Sequence, residues 1–148
     1  MRVFVTGATG WVGRSVVPEL TAAGHSVIGL ARSDAAARVL ADAGVEAYRG
    51  SLDDPEGLAK TAAASDGVIH LAFKHDFENY AANIEADRVA VEAMCAALEG
   101  TGKPFVSTSG TLMTAFAAPG IVGTEETTPP DYVPRVASEN ATIACIPA

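Results

Sequence analysis

The sequence predicts an α/β fold in which a parallel sheet is covered by helices on both faces. Two observations predict it. Short β-branched or aromatic runs alternate with helical patterns along the chain, and the first run passes through a glycine turn straight into an amphipathic helix. Strands that alternate with helices must be joined by crossovers. The sheet is therefore parallel, doubly wound and right-handed in each crossover.

The elements follow in order. Arg2 to Thr6 reads as the first strand. Trp11 to Ala23 reads as a helix with Val12, Val16, Val17 and Leu20 on one side, ended by Gly24. A second strand spans Ser26 to Ala31, and Ser33 is placed to cap a helix over Asp34 to Ala43. Glu46 to Arg49 is a third strand. Pro55 suits the first turn of a helix reaching about Ala64. Gly67 opens a fourth strand over Val68 to Ala72. The longest helical pattern, Tyr80 to Leu98, carries Tyr80, Ile84, Val91, Met94, Cys95 and Leu98 at helical spacing. That stripe serves either as cover for the sheet or as the face of a homodimer. Phe105 to Thr108 is the fifth strand. Ala117 to Pro134, rich in proline and glycine, reads as a long loop. A last helix covers about Val136 to Cys145.

Bulk properties exclude several functions. With 148 residues, 49% of them apolar, the chain is long enough for one domain with a real core. A net charge of -8 and no basic run argue against nucleic acid. No apolar run is long enough for a bilayer span, and the amino terminus lacks a signal-peptide pattern, so a cytoplasmic protein without a membrane partner is expected. Cys95 and Cys145 match no metal spacing. They read as small buried hydrophobes, with a disulfide or a catalytic thiol as the alternative.

Thr6-Gly7-Ala8-Thr9-Gly10-Trp11-Val12-Gly13 is the most informative segment. Gly7 permits the sharp exit from the strand. Gly10 allows backbone to approach a pyrophosphate, and Gly13 lets the helix lie against the sheet. Free amides at the helix start then face the phosphates. At the tip of the second strand stands Arg32, where an acidic residue would favour NAD. A guanidinium there, with the Ser33 hydroxyl beside it, favours the 2′-phosphate of NADP. The alternatives are a solvated Arg32, or Arg32 on the adenine with Asp34 on the ribose. Asp53 either accepts from the adenine amino group, with Leu52 flanking the ring, or caps the helix at Pro55. His70 reads as a core or hydrogen-bonded histidine. Leu71, Ala72 and Phe73 leave room for the second ribose. The candidate nucleotide contacts are thus Gly7, Thr9, Gly10, Trp11, Val12, Gly13, Arg32, Ser33, Leu52, Asp53, Leu71, Ala72, Phe73 and Ser107, with NADP expected and NAD as the alternative.

These residues together resemble the extended and atypical short-chain dehydrogenase/reductase group, and most of all its NAD-dependent epimerase/dehydratase members. Besides the glycine motif, Gly50-Ser51-Leu52-Asp53 is similar to the group's Gly-Asp-Leu-x-Asp turn, His70-Leu71-Ala72 to its fourth-strand motif, and Asn83 to a structural asparagine. The resemblance implies a Rossmann fold that matches only the amino-terminal half of such a protein. The sixth strand and the carboxy-terminal substrate region would be missing, and the fifth strand would be a bare edge. It also implies an oxidoreductase, epimerase or dehydratase acting on a carbonyl or hydroxyl of a small molecule. Ser109 would bind the carbonyl, with Thr111 next in line. The group's Tyr-x-x-x-Lys pair falls on Arg135 and Glu139. Arginine is no proton donor near neutrality, and glutamate would repel a phenolate. Three readings follow: hydride transfer with Ser109 polarising the carbonyl and water or His75 giving the proton; a nucleotide-binding regulator or redox sensor without turnover; or an inactive fragment.

Overall fold

The computed structural model describes residues 1–117, 120 and 122–145. Five strands form one sheet, β1 (Arg2–Thr6), β2 (Ser26–Ala31), β3 (Glu46–Arg49), β4 (Gly67–His70) and β5 (Phe105–Ser107). All neighbours are parallel, in the order β3-β2-β1-β4-β5. The helices are α1 (Gly13–Ala22), α2 (Asp34–Asp42), α3 (Pro55–Ala63), α4 (Tyr80–Leu98) and α5 (Val136–Ala144). Short 3-10 turns at Phe77–Asn79 and Thr111–Phe116 were not foreseen. The expected long loop includes Ala118, Pro119 and Ile121, which lie outside the described residues.

Alternate side chains of each strand enter two separate cores. Val3, Val5, Val27 and Ala31 meet Val17 of α1 and Leu40 of α2. Phe4, Ile28, Leu30 and Val68 point the other way, onto Leu58 of α3 and Met94 and Leu98 of α4. Period-two alternation on a sheet buried on both faces gives this division directly. Helix α4 packs against both α3 and α5. Its stripe, including Ile84, Val91, Met94 and Leu98, is buried within the chain. The stripe therefore covers the sheet; of its residues only Tyr80 retains substantial exposure, at 39%.

Several boundaries differ from expectation for identifiable reasons. Helix α1 begins at Gly13 because its ladder starts with the Arg14 amide donating to the Gly10 carbonyl. Strand β4 stops at His70 because the next two amides turn to Thr6: Leu71 and Ala72 both donate to Thr6 Oγ1, at 3.2 Å each. Ser33 caps α2 as expected, accepting from the Ala36 amide at 3.1 Å. Asp54 rather than Asp53 caps α3, accepting from the Gly57 amide at 3.0 Å. The sheet reverses its winding between β1 and β4, so the crevice beyond their carboxyl ends is the expected ligand position.

Candidate functional site

The glycine turn sits at that crevice. Gly7 has φ +66°, and a Cβ there would lie 2.8 Å from the Ala72 amide nitrogen. A Cβ on Gly13 would lie 2.2 Å from the Gly7 carbonyl oxygen. Both glycines are therefore required by the close approach of α1, β1 and β4. Gly10 differs: a Cβ there meets only backbone of Gly7, the nearest atom 3.1 Å away, and is otherwise open. Helix α1 has no side-chain cap and no acidic residue in its first turn. Among the described residues, no acceptor reaches the amides of Trp11, Val12 and Gly13. An uncapped helix start with free amides and an open glycine fits an anionic pyrophosphate. Thr9, Trp11 and Val12 are exposed around it.

Leu52 is buried in the α3–α4 core at 3% exposure, so it offers almost no surface to a purine. Asp53 is exposed and forms an ion pair with Lys74. Arg32 is exposed, and Asp34 pairs with Arg49 at 3.0 Å. Phe73 lies under the Arg135 guanidinium, 4.1 Å from ring centre to Cζ. His75 and Asp76 are spent locally. His75 Nδ1 lies 3.1 Å from the Phe73 carbonyl, and Asp76 accepts from the Glu78 amide at 3.1 Å and from Asn79 at 2.8 Å. The Asn79 hydrogen bond, followed by that of the Glu78 amide, holds the Asp76 carboxyl below its ordinary value. Asn83 donates to the Asp76 carbonyl at 2.7 Å, tying this loop to α4.

Behind the crevice runs a buried polar chain. Thr6 Oγ1 already accepts two amides, so its one proton goes to His70 Nδ1, 2.8 Å away. His70 then carries its own proton on Nε2, directed at Asp87 Oδ1 at 3.2 Å. The other Asp87 oxygen faces Arg135 at 3.6 Å. Burial works to raise the Asp87 carboxyl. The His70 hydrogen bond, with the Ser138 hydroxyl and the Arg135 charge beside it, outweighs it and holds the carboxyl below its ordinary value. His70 is thus the hydrogen-bonded core residue the sequence suggested. Asp87 was missed, although a carboxylate four residues after Asn83 on the buried side of α4 is a readable signal.

Beyond Arg135 lies a cavity of about 170 Å³ between the end of β5 and α5. Ser107, Ser109, Arg135, Ser138 and Glu139 line it. The structure therefore brings Ser109 together with the two residues that replace the tyrosine and lysine. Thr111 is not among the lining residues. It opens the 3-10 turn, and its carbonyl accepts from Thr114 Oγ1 at 2.8 Å. Tyr132 is 75% exposed. Lys103 binds the Ala63 carbonyl at 2.8 Å, away from the site. The cysteines, distant in sequence, meet at the α4–α5 packing. Burial and the neighbouring Cys145 push the Cys95 thiol far above its ordinary value, which leaves it a poor nucleophile. Among the described residues no cluster of potential metal ligands occurs, and no helix is long and apolar enough to cross a membrane.

Residues 3–137 match the NAD dependent epimerase/dehydratase family, and the chain belongs to that family. It is 52% identical over 114 residues to the uncharacterized protein YLL056C of Saccharomyces cerevisiae, covering 76% of this chain and 38% of that one. It is 42% identical over 144 residues to the uncharacterized protein C2A9.02 of Schizosaccharomyces pombe, covering 97% and 48%. The chain thus spans less than half the length of these relatives. In fold it is similar to the Bordetella bronchiseptica enzyme WbmH in complex with NAD+, with a TM-score of 0.79 at 17% identity, over 97% of this chain and 52% of that one. The UDP-glucose 4-epimerase of Thermus thermophilus, in complex with NAD, gives a TM-score of 0.72 at 24% identity, over 97% and 49%.

These findings correct the expectation of NADP. The like-folded structures that name a nicotinamide nucleotide name NAD, as does the family. The structure gives a physical reason: among the described residues nothing orients the exposed Arg32 guanidinium toward a 2′-phosphate, since it takes part in no ion pair or side-chain hydrogen bond.

Proposed function

We propose that this chain forms the NAD-binding part of an oxidoreductase or epimerase-like enzyme acting on the carbonyl or hydroxyl carbon of a small molecule. The uncapped start of α1, with its open Gly10, carries the reading. The amides of Trp11, Val12 and Gly13 would hold the pyrophosphate, and Asp53, Leu71, Ala72 and Phe73 would border the adenosine and ribose. When bound, NAD would supply a hydride acceptor. Ser107 stands in register with His70, and His70 with Thr6, so the ends of β5, β4 and β1 share one edge. Ser109, two residues beyond, would orient the substrate oxygen. Arg135 and Glu139 support a second reading, a nucleotide-binding protein without turnover, because they replace the expected proton relay.

Titration of NADH by fluorescence against the whole chain tests the first claim. Saturable binding that Gly10→Val weakens at least tenfold, with the melting temperature little changed, is the expected result. Unchanged affinity in that variant would defeat it. Turnover of any carbonyl substrate with NADH separates the two readings. The thiols of Cys95 and Cys145 support a reducing, cytoplasmic setting. A homodimer through α4 would use its outward positions, where Arg88 binds both Glu85 and Glu92; sedimentation checks it.

A further inference from the structure

Among the described residues, Glu139 Oε2 is a buried carboxylate oxygen without a hydrogen-bond partner, and the hydroxyl of Ser138, next to it on α5, faces Asp87. Both residues line the cavity that Ser107 and Ser109 enter. Ser138 is 5% exposed. Native proteins rarely leave such an atom unsatisfied, so the free Glu139 oxygen describes what the cavity accepts.

The charges decide which ligand that is. Arg135 suggests an anion at first sight, yet its guanidinium is engaged on its other sides. It lies over the Phe73 ring and faces Asp87 Oδ2, at 4.1 Å and 3.6 Å. Asp87 cancels its charge. Glu139 takes part in no ion pair among the described residues, and the cavity is left with one uncompensated negative charge, on an atom that can only accept. A carboxylate ligand would be repelled. A hydroxyl would satisfy Glu139, and an ammonium would satisfy it while also neutralising it. With about 30 Å³ per water, 170 Å³ holds about five or six waters, or one small molecule of comparable bulk.

We infer that the substrate pocket at Ser109 selects small carbonyl or hydroxyl compounds bearing an ammonium group beside the reacting carbon, read by Glu139. This rests on the proposed function for the reaction at Ser109, but the recognition itself needs no nucleotide. Three ketones of similar size isolate the chemistry: aminoacetone, hydroxyacetone and pyruvate. Each is titrated into the whole chain while the backbone amides of α5 and of residues 107–109 are followed by NMR, with NADH binding measured on the same sample. The expected order is aminoacetone, then hydroxyacetone, then pyruvate, with about tenfold between first and last. Glu139→Gln should level the series. Tyr132→Phe, at a residue that does not line the cavity, should change nothing. Pyruvate binding as tightly as aminoacetone would overturn the inference. So would an order that survives Glu139→Gln, or amides that no ketone moves, which would mean a cavity holding water only. Failure of NADH to bind while the order holds would instead remove the nucleotide reading alone.

Discussion

Replacing Asp87 with alanine removes the acceptor at the centre of the buried chain from Thr6 to Arg135. The His70 Nε2 proton would be left facing a void, because Thr6 already occupies the other ring nitrogen. A hydrogen bond to a charged group contributes about 1.5–3 kcal/mol, and a buried donor left unmade costs at the upper end. The Arg135 ion pair, at 3.6 Å, is longer than a hydrogen bond and contributes less than the His70 contact. The expected loss is therefore about 3 kcal/mol. For a chain of this size that lowers the melting temperature by about 6–12 °C. Urea denaturation followed by circular dichroism measures it. Asp87→Asn, which keeps a neutral acceptor, should cost about half as much. Burial, which raises the Asp87 carboxyl, is outweighed by His70, Ser138 and Arg135, so the folded group titrates below its ordinary 3.8. Its contribution is complete above that ordinary value and is lost as the pH falls through the lowered one. The wild type should thus lose stability below pH ~4 more steeply than Asp87→Asn. A loss under about 1 kcal/mol in Asp87→Ala, or a double-mutant cycle with His70→Ala showing no coupling, would refute the network.

Two further outcomes follow from the same geometry. Gly13→Ala drives a Cβ to 2.2 Å from the Gly7 carbonyl and should cost about 3 kcal/mol or more by overpacking, whereas Gly10→Ala, with 3.1 Å available, should cost under about 1 kcal/mol; thermal melts of the pair check the contrast. Asp54→Ala removes the cap of α3 and should lower stability by about 1 kcal/mol in a urea titration, while Asp53→Ala should not.

Much of the fold was legible because it is encoded locally. The strands β1, β2 and β3 and the helix α4 stand at the expected residues, since hydrophobic period and punctuation by Gly, Ser and Pro act over a few positions. The glycine turn was legible for the same reason: its steric demands are borne by residues that can carry no side chain. What failed depended on distance in the chain. Leu52 looked available to a ligand until α3 and α4 closed over it.

By itself the sequence determined the order of the elements, the parallel sheet and the anion-ready start of α1, because each follows from backbone freedom and side-chain period. Only the tertiary structure decided which polar atoms are satisfied. Thr6 meets His70 from 64 residues away, and His70 meets Asp87 from 17. Whether Glu139 keeps a free oxygen depends on how α5 rotates against β5. Periodicity says which face of a helix is buried, whereas hydrogen bonding is settled to within a few tenths of an ångström by how the packed elements cross.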